Sequence, residues 1–208
     1  MTEDRIAPPY SVLRSPSSGT KPALRAAALA RRDALTPDTR KAASAAIARR
    51  VAPILSHPRP QVVGTYWGLG SEADPEAIEA WCAGEGVVIG LATMTDRDTM
   101  VFRVHKPGEA LAPDAYGVPA PPASAPAVEP DVLIVPVSAF DRSGMRLGKG
   151  RGVYDRAIAA LGARGRAPLL VGIGFSVQEV AAIPAEPHDV RLDWIVTENQ
   201  ALEFPRGR

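Results

Sequence analysis

Glycines and basic residues alternate between Gly144 and Gly152, directly after an apolar run. Glycine stands at 144, 148, 150 and 152, and the residues between include Arg146, Lys149 and Arg151. Glycines let a backbone approach an anion closely, free N–H groups and a helix dipole attract it, and basic side chains neutralise it. The pattern therefore predicts a phosphate-binding loop. The alternative is an ordinary glycine-rich turn with solvated charges.

Two common phosphate motifs do not fit this loop. Gly144 and Gly148 are one residue too close for a Walker A loop, and Gly150 stands where that loop needs serine or threonine. No Gly-x-Gly-x-x-Gly dinucleotide fingerprint fits either.

Asp155 follows the loop, in the predicted first turn of a helix. A bare carboxylate would repel phosphates, whereas a bound Mg²⁺ would attract both, because Mg²⁺ is commonly held by one or two carboxylates plus substrate phosphates. The alternative is that Asp155 only stabilises the helix N-terminus with its negative charge.

A strand and a helix must position this loop. The run from Asp131 to Val135 is β-branched and apolar, which indicates a buried strand. After Gly152 the periodicity becomes helical, with Gly162 as the expected end; the residues on one face are Val153, Ala157, Ile158 and Leu161. A strand, a basic glycine-rich loop and a helix N-terminus together form an arrangement that binds phosphate.

These residues also carry a family resemblance. The segment Arg146-Leu147-Gly148-x-Gly150-x-Gly152-x-Tyr154-Asp155-Arg156, preceded by Ala139-Phe140-Asp141 and Gly144, resembles the signature of the 5-formyltetrahydrofolate cyclo-ligase (methenyltetrahydrofolate synthetase) family. The resemblance implies ATP- and Mg²⁺-dependent cyclisation of 5-formyltetrahydrofolate to 5,10-methenyltetrahydrofolate, with ADP and phosphate released. A paralogue with the same ATP site and another substrate, or a non-catalytic nucleotide-binding module, are the alternatives.

The resemblance also implies roles for individual residues. Arg146 and Lys149 are expected to be catalytic, and Asp155 and Asp193 to hold Mg²⁺. The expected ATP-binding residues are Lys21, Arg25, Arg146, Leu147, Gly148, Lys149, Gly150, Arg151, Gly152 and Tyr154. The expected folate-binding residues are Trp67, Glu72, Val153 and Tyr154. Val153 departs from the family, which usually has an aromatic residue there.

Lys21 and Arg25 belong to the segment Lys21-Pro22-Ala23-Leu24-Arg25, which matches a motif near the start of the family's sequences.

Several of the other expected site residues have plain structural alternatives. Glu72 could be a solvated loop acid and Trp67 a partly buried aromatic residue. Asp193 could form a turn at a strand end. Tyr116-Gly117-Val118-Pro119 resembles a further family segment.

The rest of the chain alternates helices and strands. Helices are expected over 21–35, from Thr36-Pro37 to about Val51, after Asp74-Pro75 and over 176–182. Strands are expected over 61–66, 87–92, 99–104 and 168–175, and a last strand is expected before Glu198. This alternation predicts a single three-layer α/β/α domain, Rossmann-like, with a largely parallel sheet. Residues 1–20 are expected to be a mobile tail and 21–208 the domain.

Composition excludes several function classes. The 208 residues carry a net charge of +1 and one cysteine, Cys82, which gives no case for a nucleic-acid or membrane partner or for an internal disulfide framework. The basic N-terminal helices lack aromatic residues for base stacking. The three histidines show no zinc spacing, and no Gly-x-Ser-x-Gly elbow is present. We expect a cytoplasmic monomer or small homo-oligomer with small-molecule substrates.

Overall fold

The computed structural model describes residues 19–186 and 189–205. The helices are α1 (Lys21–Asp33), α2 (Pro37–Ser56), α3 (Glu76–Gly84) and α4 (Val153–Ala163), with a 3-10 helix at Ser176–Gln178. The strands are β1 (Val62–Thr65), β2 (Val88–Met94), β3 (Met100–His105), β4 (Ala112–Pro113), β5 (Pro119–Ala120), β6 (Ala127–Val128), β7 (Val132–Pro136), β8 (Ala139–Phe140), β9 (Arg146–Leu147), β10 (Leu169–Ile173), β11 (Trp194–Val196) and β12 (Ala201–Glu203). Of the predicted tail, residues 1–18 lie outside the described residues.

An eight-stranded sheet forms the centre, in the order β12-β11-β10-β7-β1-β2-β3-β6. The five strands from β11 to β2 run parallel, and β12, β3 and β6 add antiparallel edges. Residues Val132 to Val135 of the central strand β7 are all buried. A strand covered on both faces reads as a continuous apolar run, which explains why this segment shows no alternation. The predicted largely parallel sheet is confirmed.

Helices cover both faces of the sheet. On one face, Ile47 of α2 and Ile78 of α3 share a buried cluster with Val63 and Ile134. On the other face, Ile158 and Leu161 of α4 pack with Leu133 and Val135. Successive residues of a strand point to opposite faces, so β7 contributes Ile134 to one cluster and its two neighbours to the other. The three-layer α/β/α architecture is confirmed.

Several element ends differ from the sequence expectations. Thr36 caps α2 as predicted, accepting a hydrogen bond from the Thr39 N–H, but the helix continues past Val51 to Ser56 in spite of Pro53. Burial of Leu55 against the core offsets the hydrogen bond that a proline removes. Gly162 does not end α4, which reaches Ala163. The helix predicted over 176–182 is only the 3-10 turn.

The strand order reverses direction between β1 and β7. From β1 the chain crosses through α3 to β2 on one side, and from β7 it crosses through α4 to β10 on the other side. Open α/β sheets bind ligands in the crevice that such a reversal leaves outside the carboxyl ends of the strands. The residues that follow Thr65 and Pro136 are therefore placed at a ligand site by topology.

Candidate active site

A cavity of about 520 Å³ occupies this crevice. Tyr66, Trp67 and Glu72 line it from the segment after β1, Pro136 lines it from the end of β7, and Ser138 lines it from the residues that follow. The continuous segment 146–155, from β9 to the first turn of α4, forms another wall. Its volume is within the range of about 300–1,000 Å³ that small-molecule and cofactor sites have.

Asp141 organises the hairpin that delivers the glycine-rich loop to the cavity. Its buried carboxylate accepts hydrogen bonds from the backbone N–H groups of Ser143 (2.9 Å), Met145 (3.2 Å) and Ile183 (2.7 Å). Gly144 turns the hairpin at a φ of +86°, and a Cβ there would lie 2.9 Å from the ring of Phe204. Only glycine fits both the backbone conformation and the close contact. The strand β9 that follows places Arg146 in the cavity wall.

The loop leaves open space where the predicted phosphate would lie. A Cβ on Gly148 would meet no atom within 4 Å. Gly150 has a φ of +88°, and Gly152, at a φ of +63°, is the N-cap of α4. Gly152 has no side chain, so the N-cap residue gives the first turn of α4 no side-chain hydrogen bond. Such a helix start is a ready anion site.

Three cations of the site are held by partners within the cavity wall. Arg146, whose side chain is 5% exposed, donates to Asp155 Oδ1 at 2.7 Å and to the Val190 carbonyl oxygen. Lys149 Nζ lies 3.1 Å from Glu72 Oε1. Arg25 Nε donates to the Gly148 carbonyl oxygen at 2.6 Å. The positive charge expected of a phosphate site is therefore present and oriented.

The N-terminal helix supplies a further cation to the cavity wall. Lys21 Nζ lies 2.7 Å from Asp189 Oδ2 and 3.2 Å from Glu186 Oε2, and all three residues line the cavity. Because Lys21 and Arg25 are four residues apart, they lie on the same face of α1. This spacing explains how one short motif brings both side chains to the cavity.

An apolar region completes the wall. Met94 of β2, Met100 of β3 and Val118 line it together with Tyr116, whose hydroxyl donates to the Arg97 carbonyl oxygen at 2.6 Å. The guanidinium of Arg151 lies over the Tyr116 ring, 4.2 Å from its centroid, a cation–π geometry. A cavity lined by both charged and apolar side chains suits a substrate that carries both a phosphate and a flat ring system.

The comparisons with known proteins agree with this geometry. The family model described as the 5-formyltetrahydrofolate cyclo-ligase family matches residues 17–198. The chain belongs to the 5-formyltetrahydrofolate cyclo-ligase family. It is 28% identical to the 5-formyltetrahydrofolate cyclo-ligase of Escherichia coli strain K12 over 180 residues, which cover 84% of this chain and 98% of that protein. The predicted family and its enzyme class are confirmed.

Partial and structural matches extend the comparison. The 5-formyltetrahydrofolate cyclo-ligase of Mycolicibacterium smegmatis is 37% identical over 101 residues, covering 47% of this chain and 50% of that protein. The NMR structure of Aquifex aeolicus 5,10-methenyltetrahydrofolate synthetase superposes with a TM-score of 0.74 at 24% identity, covering 90% and 94% of the two chains. That likeness concerns the fold, which this cyclo-ligase family member shares.

Fourteen predicted site residues of this cyclo-ligase family member line the one cavity. They are Lys21, Arg25, Trp67, Glu72, Arg146, Leu147, Gly148, Lys149, Gly150, Arg151, Gly152, Val153, Tyr154 and Asp155. Glu72 is nearly buried, with a side chain 7% exposed, and Trp67 is 43% exposed at the mouth. Burial and the negative charge of Glu72 raise the pKa of Tyr154, so its hydroxyl stays neutral. Their individual roles stay predictions.

Asp193 is the exception, and its predicted place beside Asp155 is corrected. Its Oδ2 accepts a hydrogen bond from the Leu170 N–H at 2.8 Å, at the start of β10, and it lines a separate cavity of about 340 Å³. Asp155 lies near the other end of the strands. A five-residue strand is roughly 13 Å long at about 3.3 Å per residue, so Asp155 and Asp193 cannot hold one ion.

Asp189, four residues earlier, lines the main cavity with Asp155. The sequence interpretation missed both this residue and Tyr116. Asp189 stands four residues before Asp193, and Tyr116 stands in the segment 116–119, which resembles a family segment to which the sequence assigns no role.

In the described part of the chain no group of three or more His, Cys, Asp or Glu residues could hold a metal by itself. The same described residues include no helix long and apolar enough to cross a bilayer.

Proposed function

We propose that this protein catalyses the ATP- and Mg²⁺-dependent cyclisation of 5-formyltetrahydrofolate to 5,10-methenyltetrahydrofolate, releasing ADP and phosphate. Family membership supports the reaction class and implies a nucleotide substrate. The observation that carries the proposal is the contact of Lys149 with Glu72, 3.1 Å apart in one cavity. It joins the loop suited to phosphate to the residue expected to contact the folate.

The chemistry requires activation of a formyl oxygen, because the oxygen of a formamide is a poor leaving group. Transfer of the γ-phosphoryl group to that oxygen forms a P–O bond and releases ADP. The second folate nitrogen then attacks the formyl carbon and loses its proton, the C–O bond breaks, and the oxygen departs with the phosphate, which takes up that proton. Phosphoryl transfer asks the protein mainly for alignment and charge stabilisation. No covalent nucleophile on the protein is needed.

The phosphate end of the cavity provides these requirements. Arg146 and Lys149 contribute fixed positive charge where charge develops on the transferred group. The start of α4 and the open space at Gly148 accommodate the terminal phosphates, and Lys21, Arg25 and Arg151 bind the remainder of the nucleotide. Arg146 is nearly buried, so its charge acts in a poorly solvated place and is oriented before substrate arrives.

A carboxylate pair fits the expected metal. Asp155 lines the cavity beside the proposed phosphate position, and Asp189 lines the same cavity. One or two carboxylates plus phosphate oxygens form the usual protein site for Mg²⁺. We propose Asp155 with Asp189, in place of Asp193, as these ligands. Bound Mg²⁺ would neutralise phosphate charge during transfer.

The other end of the cavity suits the folate. Glu72 offers a carboxylate acceptor to the N–H groups of a pterin, Trp67 and Tyr154 offer ring surfaces, and Val153 offers an apolar wall. The proposal is tested by mixing the protein with MgATP and 5-formyltetrahydrofolate and following the absorbance of the methenyl product. Absorbance growth that requires all three components supports it. Nucleotide binding without product would leave a non-catalytic module, and ATP turnover independent of the folate would indicate another substrate.

A further inference from the structure

Glu72 depends on its loop for its position. Its side chain is 7% exposed, and its two oxygens are used by different partners: Oε2 accepts from the Leu69 N–H at 3.0 Å, and Oε1 lies 3.1 Å from Lys149 Nζ. The bond from Leu69 ties the carboxylate to its own loop, so a movement of the loop 67–74 moves Glu72. The contacts that hold this loop therefore determine where Glu72 meets a substrate.

The carboxyl end of α1 holds the loop at Ser71, the residue before Glu72. Arg32 Nε donates to Ser71 Oγ at 2.9 Å, and Ser71 Oγ donates in turn to Asp33 Oδ1. Arg32 Nε also lies 3.4 Å from Asp33 Oδ1. The hydroxyl of Ser71 is thus held between a cation and an anion that are adjacent on α1.

Arg32 is placed at a cost to folding. Its side chain is 9% exposed, and its Nη1 is buried without a hydrogen-bond partner among the residues that the structure describes. A buried guanidinium loses hydration, and an unpaired N–H on it adds a further penalty. The hydrogen bond that the Ser71 hydroxyl donates lowers the pKa of Asp33, so that carboxylate stays charged.

The contacts close a ring around the cavity through one helix. Near its amino end, α1 contacts the phosphate loop through Arg25 at Gly148; near its carboxyl end, it contacts the loop of Glu72 through Arg32 at Ser71. Lys149, next to Gly148, completes the ring at Glu72. A helix is stiff, so α1 fixes the spacing of the two loops.

We propose that Arg32, Asp33 and Ser71 are positioning residues that fix Glu72 for the folate. This inference rests on the proposed function, because it assigns the folate to Glu72. A positioning role predicts a selective effect: loss of the Ser71 hydroxyl should weaken the folate site while leaving the nucleotide site as it is. A role in stability alone would affect both substrates equally or neither.

Steady-state kinetics of Ser71→Ala, Ser71→Thr and Ser56→Ala test the selectivity. For Ser71→Ala we expect the KM for 5-formyltetrahydrofolate to rise roughly tenfold, the effect of losing hydrogen bonds to charged groups. We expect the KM for ATP to stay within about twofold when it is measured at saturating 5-formyltetrahydrofolate, where the Glu72–Lys149 pair is already broken. Ser71→Thr keeps a hydroxyl and should retain the wild-type KM. Ser56→Ala removes a hydroxyl that donates to the Ala52 carbonyl oxygen on α2, outside the cavity, and serves as the matched control. An equal rise in both KM values, or none, would overturn the proposal.

Amide hydrogen exchange of the ligand-free protein provides a readout independent of turnover. We expect faster exchange in residues 67–74 of Ser71→Ala and unchanged exchange in Ser71→Thr. Exchange as slow in Ser71→Ala as in wild type would overturn the positioning role. A wild-type protein that makes no methenyl product would count against the proposed function instead, while the exchange result still decides whether α1 holds this loop.

Discussion

The ion pair between Glu72 and Lys149 makes the binding of the two substrates interdependent. Phosphate that takes up Lys149 removes the partner of Glu72, and a folate that takes up Glu72 removes the partner of Lys149. Whichever ligand binds first therefore breaks the pair, and the second ligand binds without that cost. We predict positive coupling between nucleotide and folate, which must be reciprocal.

The structure sets the magnitude of this coupling. Two unit charges 3.1 Å apart attract by about 5 kcal/mol at an effective dielectric constant near 20. Lys149 is 55% exposed, so water screens the pair and leaves roughly 1–2 kcal/mol. This free energy corresponds to a factor of about 5–30 in affinity.

Isothermal titration calorimetry measures the coupling directly. The Kd of a non-hydrolysable ATP analogue with Mg²⁺ is compared with and without saturating 5-formyltetrahydrofolate, in wild type, Glu72→Gln and Lys149→Met. We expect the folate to tighten nucleotide binding in wild type by the factor above, and most of this coupling to disappear in both variants. Coupling of equal size in wild type and Glu72→Gln would refute the reasoning.

Two further variants test other parts of the site, and a third tests a buried carboxyl group of α3. Gly148→Ala should fold with an unchanged Tm, because its Cβ meets no atom, yet lose at least about tenfold in nucleotide affinity; unchanged affinity would mean that phosphate does not lie there. Asp155→Asn should lower kcat by at least about a hundredfold at saturating Mg²⁺, with a folded circular dichroism spectrum, and near-normal kcat would argue against the metal role. Burial raises the pKa of Glu79 above its usual value near 4.5. The folded protein therefore binds this proton more tightly than the unfolded chain does. Its free energy of unfolding should fall as the pH rises from 4.5 through the folded-state pKa. Glu79→Gln should flatten the free energy of unfolding from urea titrations over that range; an unchanged slope would contradict the assignment.

The strand, the glycine-rich loop and the helix that follows it were predictable because their determinants are local. An apolar β-branched strand, glycines at positions that need a positive φ or close approach, and a helical periodicity after Gly152 are all encoded within about thirty residues. Ala43, Ile47 and Val51 are spaced four residues apart, so they share a face of α2, and all three are buried. Local rules also explain the three-layer architecture, since alternating strands and helices leave few other topologies.

The place of Asp189 at the cavity was not predictable in this way. Asp189 and Asp193 are four residues apart in a segment without periodicity, and which one meets the cavity depends on the register of β11 against β10. That register pairs Trp194 with Val171 and so places Asp193 at the amino end of the parallel strands. This register arises only when the strands assemble, so the sequence of the segment alone does not show which of the two aspartates meets the cavity.

Tyr116 was missed for a related reason. Its place at the cavity depends on Asp114, which accepts hydrogen bonds from the N–H groups of Tyr116 (2.8 Å), Val118 (3.0 Å) and Met94 (3.0 Å). The first two form a local turn, which a sequence can indicate. The third joins the turn to the end of β2, and this distant contact is what brings the ring to the site.

The fate of the formyl oxygen tests the proposed reaction most directly. 5-Formyltetrahydrofolate labelled with ¹⁸O in the formyl group is incubated with the protein and MgATP, and the released phosphate is examined by mass spectrometry. We predict one ¹⁸O atom in each phosphate, because the oxygen leaves with the phosphoryl group transferred to it. Methenyl product formed together with unlabelled phosphate would contradict phosphoryl transfer to the formyl oxygen.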